Sequence, residues 1–130
     1  MTVRIASVTF DCEDALKVAT FWSAALGRPL DAGASSGFAS IGFATRRDKV
    51  GWGPVDPEDE PTWMFSKVPE PKTAKNRMHL DVITSDLEAE IARLQALGAT
   101  HVRDANEYGY TWTVMQDPEG NEFCVGKARE

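Results

Sequence analysis

Polar and apolar positions alternate from Ile5 to Asp11, and from Asp14 to Leu26 the period changes to that of a helix. In the first run Val8 and Phe10 form one side and Ser7, Thr9 and Asp11 the other, as a strand with two unlike faces requires. In the second, Ala15, Val18, Ala19, Trp22, Ala25 and Leu26 make one apolar stripe, with Asp14 placed to cap its start and Gly27 its end. The same pattern returns about 72 residues later. Arg77 to Ile83 alternates, setting Met78, Leu80 and Val82 against His79, Asp81 and Ile83. Ser85 to Leu97 then reads as a helix with a Ser85/Glu88 capping box, a stripe of Leu87, Ile91 and Leu94, and Gly98 as its stop.

Short strand-like runs follow each helix: Phe38 to Ala44, Lys49 to Val55 and Thr62 to Val68, then His101 to Arg103, Tyr110 to Gln116 and Glu122 to Gly126. Asp117-Pro118-Glu119-Gly120-Asn121 is a tight-turn signal before the last strand, and Asp56-Pro57-Glu58-Asp59-Glu60 stands at the corresponding earlier place. The chain therefore reads as two β-α-β-β-β modules, about 1–68 and 77–130, joined by a linker at 69–76 in one α+β domain. The apolar face of each first strand must cover its helix. The other face is polar without being rich in Lys or Glu, and it either lines a concavity or is a plain solvated sheet face.

Composition narrows the partners. A chain of 130 residues with 42% hydrophobic and 26% charged positions matches one soluble domain and has no apolar run able to span a bilayer. No secretion signal is evident at the N-terminus, so the expected compartment is the cytoplasm. With 14 basic against 20 acidic residues the net charge is −6, which repels nucleic acid. Cys12 and Cys124 are too few for a disulfide framework and are expected to be free thiols.

The chain resembles the glyoxalase/bleomycin-resistance/extradiol-dioxygenase superfamily, the vicinal oxygen chelate proteins, and within it the glyoxalase-like domain of actinobacteria. The resemblance rests on Asp11-Cys12-x-Asp14 leading to Phe21-Trp22 and Leu26-Gly27, on Val68 to Lys72 with Lys75-Asn76-Arg77-x-His79-Leu80-Asp81, on Leu97-Gly98-Ala99, and on Asp117 to Val125. It implies a cupped eight-stranded mixed sheet with the helices outside, a ligand cavity within the cup, and a homodimer. One scaffold hosts lyases, dioxygenases, thiol transferases and drug-sequestering proteins, so the fold alone assigns no activity.

Enzymes of that superfamily hold a divalent metal on His, Glu and Gln from the first and last strands of each module. The resemblance carries those positions onto Ser7, a residue near Phe65, His79 and Cys124. Only His79 matches, and Cys124 would be its sole partner, as a thiolate, so no metal site and no cofactor are expected. A slip of one residue would bring in Glu122, which this reading sets on the opposite side of its strand from Cys124. His79, sharing a face with Asp81, could orient a polar ligand group or act as a base. The alternative is a structural histidine bonded to backbone. His101 reads as surface.

Aromatic residues supply the remaining signal. Trp22 belongs to the helix stripe, whereas Trp52, Trp63 and Trp112 fall on strands, accompanied by Phe38, Phe43, Phe65, Tyr108 and Tyr110. Rings around a concavity offer rigid stacking surface to a flat or greasy ligand. The acidic run Asp56, Glu58, Asp59 and Glu60 would steer cations, or is simply a solvated turn. The expected function is metal-independent binding of a hydrophobic or aromatic compound by Ser7, Trp52, Trp63, Phe65, His79, Asp81, Trp112 and Cys124, with antibiotic sequestration or resistance as a use. The alternatives are a lyase, isomerase or dioxygenase using His79 or an unusual metal set, and a non-catalytic partner-binding module.

Overall fold

The computed structural model describes residues 5–43 and 60–128, so the strand expected over Lys49 to Val55, Trp52 within it, and Asp56, Glu58 and Asp59 lie outside the described residues. The elements run β1 (Ser7–Cys12), α1 (Ala15–Leu26), β2 (Phe38–Ile41), β3 (Thr62–Lys67), β4 (Leu80–Thr84), α2 (Leu87–Leu97), β5 (Thr100–Glu107), β6 (Tyr110–Gln116) and β7 (Glu122–Lys127). The class is α+β, and the chain divides into two compact units, 1–71 and 72–130.

In the first unit the sheet order is β1-β3-β2, with β1 parallel and β2 antiparallel to β3. α1 begins at Asp14, whose carboxylate accepts from the Lys17 amide, and ends at Gly27 in the left-handed region at φ 67°. Its buried stripe of Val18, Ala19, Phe21 and Trp22 meets β2 and β3. Val8 pairs with Trp63 and Phe10 with Phe65, so these four side chains share the face beneath α1. Phe10 stacks on Phe65 at 5.2 Å and on Trp63 at 5.4 Å between centroids, and Trp22 lies 5.1 Å from Trp63. These aromatic contacts add about 0.5–1.5 kcal/mol each beyond simple burial.

That cluster corrects the reading of Trp63 and Phe65 as rings of a ligand wall. Phe65 is 0% and Trp63 9% exposed, and both are core. The register shows why. Thr62, Met64 and Ser66 occupy the other face of β3, opposite Ser7, Thr9 and Asp11 of β1, so the residue near Phe65 on the polar side is Met64 or Ser66. A step of one position exchanges a ring for a hydroxyl.

The second unit repeats the plan in the order β4-β7-β6-β5, with β4 parallel to β7 and the rest antiparallel. Leu80, Val82, Thr113, Met115, Phe123 and Val125 share one face of this sheet by register. Leu94 of α2 is buried at 2% exposure, and α2 packs on β7 and β5. The N-cap of α2 is Asp86, whose carboxylate accepts from the Ala89 amide, and not Ser85 as the capping-box spacing suggests. An ionised carboxylate is the stronger cap, since it also meets the positive end of the helix dipole. β5 runs well past Arg103, its far half too polar to announce a strand, and a bulge interrupts its pairing between His101 and Arg103. Here Asp104 accepts from Thr113 Oγ1 at 2.9 Å and pairs with His101 Nε2 at 2.9 Å. The turn before β7 forms as read: Asp117 Oδ1 accepts the amides of Glu119 and Asn121, and Gly120 takes φ 85°.

Candidate functional site

The second sheet's remaining face carries the chemistry. Pairing in register sets Asp81 beside Cys124, Cys124 beside Val114 and Val114 beside Arg103, one row across all four strands. The next row is Ile83, Gly126, Trp112 and Ala105. His79 stands just before β4, two residues from Asp81 and on its face. Above these rows is an open groove of about 1520 Å³, whose described lining residues belong to the second unit. Its apolar wall includes Ile83, Trp112, Tyr110 and Tyr108, the last 95% exposed at the tip of the β5–β6 hairpin.

At the polar end His79 Nδ1 lies 3.3 Å from an Asp81 carboxylate oxygen and 3.9 Å from Cys124 Sγ. Desolvation raises the Cys124 thiol pKa, and Asp81 adds to the rise both by its charge and as a hydrogen-bond acceptor. The sulfur is therefore a neutral thiol at neutral pH. Glu122 lies beyond Cys124 in the same groove and not on the opposite side of the strand, because residues two apart share a face. Burial opposes its ionisation, but the Asn76 amide at 2.9 Å and the Lys72 ammonium at 2.9 Å overcome that and hold its pKa down at about 2. Glu122 thus ties the segment ahead of His79 to the start of β7.

Of the residues singled out from sequence, the structure brings together His79, Asp81, Trp112 and Cys124. Ser7 lies in the first unit beside Thr62, Trp63 and Phe65 are core there, and Trp52 is outside the described residues. Glu60, from the acidic run, pairs with Arg28 at 3.2 Å. Groove residues that sequence reasoning missed include Ile83, Arg103 and Gly126. Ile83 was legible as a face-mate of Asp81, whereas Arg103 and Gly126 carry no signal until the register is known.

Asp81, expected on the same face as His79, adds a third donor to the His79 and Cys124 pair that the resemblance supplied. Nitrogen, oxygen and sulfur donors of these three residues all lie within 4.8 Å of one another. Imidazole, carboxylate and, once a cation displaces the thiol proton, thiolate form a donor set suited to zinc or a similar divalent ion, and three protein ligands leave a position open. Among the described residues, the polar face of the first sheet carries hydroxyls at Ser7, Thr9, Ser40, Thr62 and Ser66 and a carboxylate at Asp11.

Residues 7–126 match the family described as the glyoxalase-like domain. The chain is similar in structure to a glyoxalase/bleomycin resistance protein/dioxygenase family enzyme from Burkholderia phytofirmans, at TM-score 0.72 and 14% identity over 98% of this chain and 100% of that one. A glyoxalase-related enzyme from Fulvimarina pelagi gives TM-score 0.65 and 15% identity over 98% and 89% of the two chains. Lactoylglutathione lyase from Agrobacterium tumefaciens gives 0.60 and 13% over 98% and 96%. No curated protein matches the chain. At these identities the structural likenesses establish the fold, and the match over nearly the whole length establishes the family: the chain belongs to the glyoxalase-like domain family of the vicinal oxygen chelate superfamily.

Proposed function

We propose that this protein binds a hydrophobic, aromatic small molecule in the groove of its second unit without requiring a metal ion, and that sequestration of such a compound, an antibiotic among the possible ligands, is its use. The observation that carries the reading is the union, on one sheet face, of exposed rings with a small polar cluster. Tyr110 is 55% and Ile83 76% exposed beside Trp112, and His79 with Asp81 closes the polar end. Large apolar groups left open along one groove are characteristic of ligand-binding surfaces. Trp112 is the stacking surface and His79 and Asp81 the polar contacts; a cytoplasmic homodimer is the assembly this reading assumes. Titration with 2-naphthol tests it. Saturable quenching of tryptophan fluorescence is expected, with affinity at least tenfold weaker in Trp112→Ala and unchanged by a chelator. Equal affinity in the Trp112→Ala variant overturns it.

The three converging donors favour a second reading, an enzyme of the lyase or dioxygenase kind. A divalent ion there would supply Lewis acidity to an oxygen-bearing substrate. His79, Asp81 and Cys124 would hold it, and the rings would position the substrate. Stoichiometric zinc, nickel or iron in purified protein, lost in His79→Ala, decides for this reading over the first.

A further inference from the structure

Gly126 is an unusual occupant of the groove floor. It lies inside β7, which is paired on both sides, and glycine weakens a strand interior unless the absence of a side chain serves something. The backbone does not demand it. Its φ is not in the left-handed region, and among the described residues a Cβ built there would meet only the Val82 carbonyl oxygen, at 4.0 Å, an ordinary contact. Ile83 and Trp112 are its two cross-strand partners, so the row reads large, empty, large. Two strand spacings separate the flanking residues, about 10 Å. One aromatic ring standing between them, at contact distances of about 3.5–4.0 Å from each, takes up that gap.

The adjacent row is polarised. It has Asp81 on β4 at one end and Arg103 on β5 at the other, with Cys124 and Val114 between. Asp81 is engaged by His79, whereas the Arg103 side chain has no hydrogen-bond or ion-pair partner among the described residues. Arg103 lines the groove on the face that carries Cys124, and its charge acts on the Cys124 thiol. A planar guanidinium without a carboxylate partner is a fork for an anionic oxygen pair.

We propose that Gly126 forms a slot admitting one aromatic ring between Ile83 and Trp112, and that Arg103 receives an anionic substituent of that ring, so that the ligand class is a flat aromatic anion such as an aryl carboxylate. This rests on the groove reading above and narrows its ligand. Calorimetric titration of the full chain with 2-naphthoate and with its neutral counterpart 2-naphthamide tests it. The parent binds both, the carboxylate more tightly. Gly126→Val weakens both at least tenfold while its Tm stays equal to or above that of the parent, a combination that a merely structural glycine does not produce. Arg103→Gln erases the preference for 2-naphthoate and leaves 2-naphthamide binding within twofold. A folded Gly126→Val variant with parental affinity overturns the slot. If the valine variant does not fold, Gly126→Ala decides, with intermediate affinity expected and parental affinity overturning it. A preference for 2-naphthoate that survives Arg103→Gln, or is absent from the parent, overturns the role of Arg103. Failure of both probes to bind the parent overturns the groove reading itself and this proposal with it.

Discussion

Single residues decide what the second unit's groove can do, and Glu122 shows how. Its side chain is 10% exposed, and the Asn76 amide and Lys72 bring its pKa from 4.5 to about 2. A carboxyl more acidic in the folded state than in the unfolded chain stabilises the fold above the unfolded value and loses that contribution as pH falls through the folded one. The window is therefore pH 4.5 down to about 2. The contribution is about 3 kcal/mol at neutral pH. Urea unfolding of Glu122→Gln should show lower stability at pH 7 and a flatter pH dependence across that window than the parent. An unchanged profile would show that the pairing contributes nothing. Sequence placed His79, Asp81, Cys124 and Trp112 among the site residues because each has a side chain that announces chemistry. Gly126 announces nothing, and Arg103, at the end of the short run read as a strand, gives no sign of which residues it will face, so both needed the ladder to become visible.

At the scale of elements the period of two was read well for β1 and β4 and misapplied on β3 and β7. Gathering the strand-borne rings around a concavity puts Phe65 on the ligand wall. Phe10, Phe21, Trp22, Trp63 and Phe65 nevertheless form a chain of ring contacts between α1 and the first sheet. Hydrophobic pattern cannot say which face of a strand bearing Thr62, Trp63, Met64 and Phe65 in succession turns inward; the neighbouring strand decides. Phe65→Ala should cost about 3–5 kcal/mol in urea unfolding. The folded fraction should bind 2-naphthol as the parent does. Loss of binding in a stable variant would return Phe65 to the ligand wall. The helices were legible to within a residue, since a left-handed glycine ends each and an acidic cap begins each, Asp86 displacing Ser85 on electrostatic grounds.

For the whole molecule, the repeat made the fold class legible. Strand, helix and glycine stop recur in the same order, and each set closes its own mixed sheet, three strands among the described residues in one and four in the other. Net charge of −6 opposes phosphate backbones, and among the described residues no helix is long and apolar enough to cross a membrane. In a gel-retardation assay at low salt, short duplex DNA should therefore run unshifted with the protein. A salt-sensitive shift would show a local basic field strong enough to outweigh the total. What sequence could not supply is which groups of the second sheet meet, because cross-strand neighbours are set by pairing between segments some forty positions apart, as His79 and Cys124 are.

β7 carries Cys124 and Gly126 and is flanked by β4 and β6. A strand held from both sides opens last in amide exchange. The bottom of the recess is thus its most rigid part, while Tyr108 at the rim is nearly bare of neighbours. On the proposed binding function, such a recess would sort visitors by outline and not mould itself to them, so improved ligands should differ mainly in how slowly they leave.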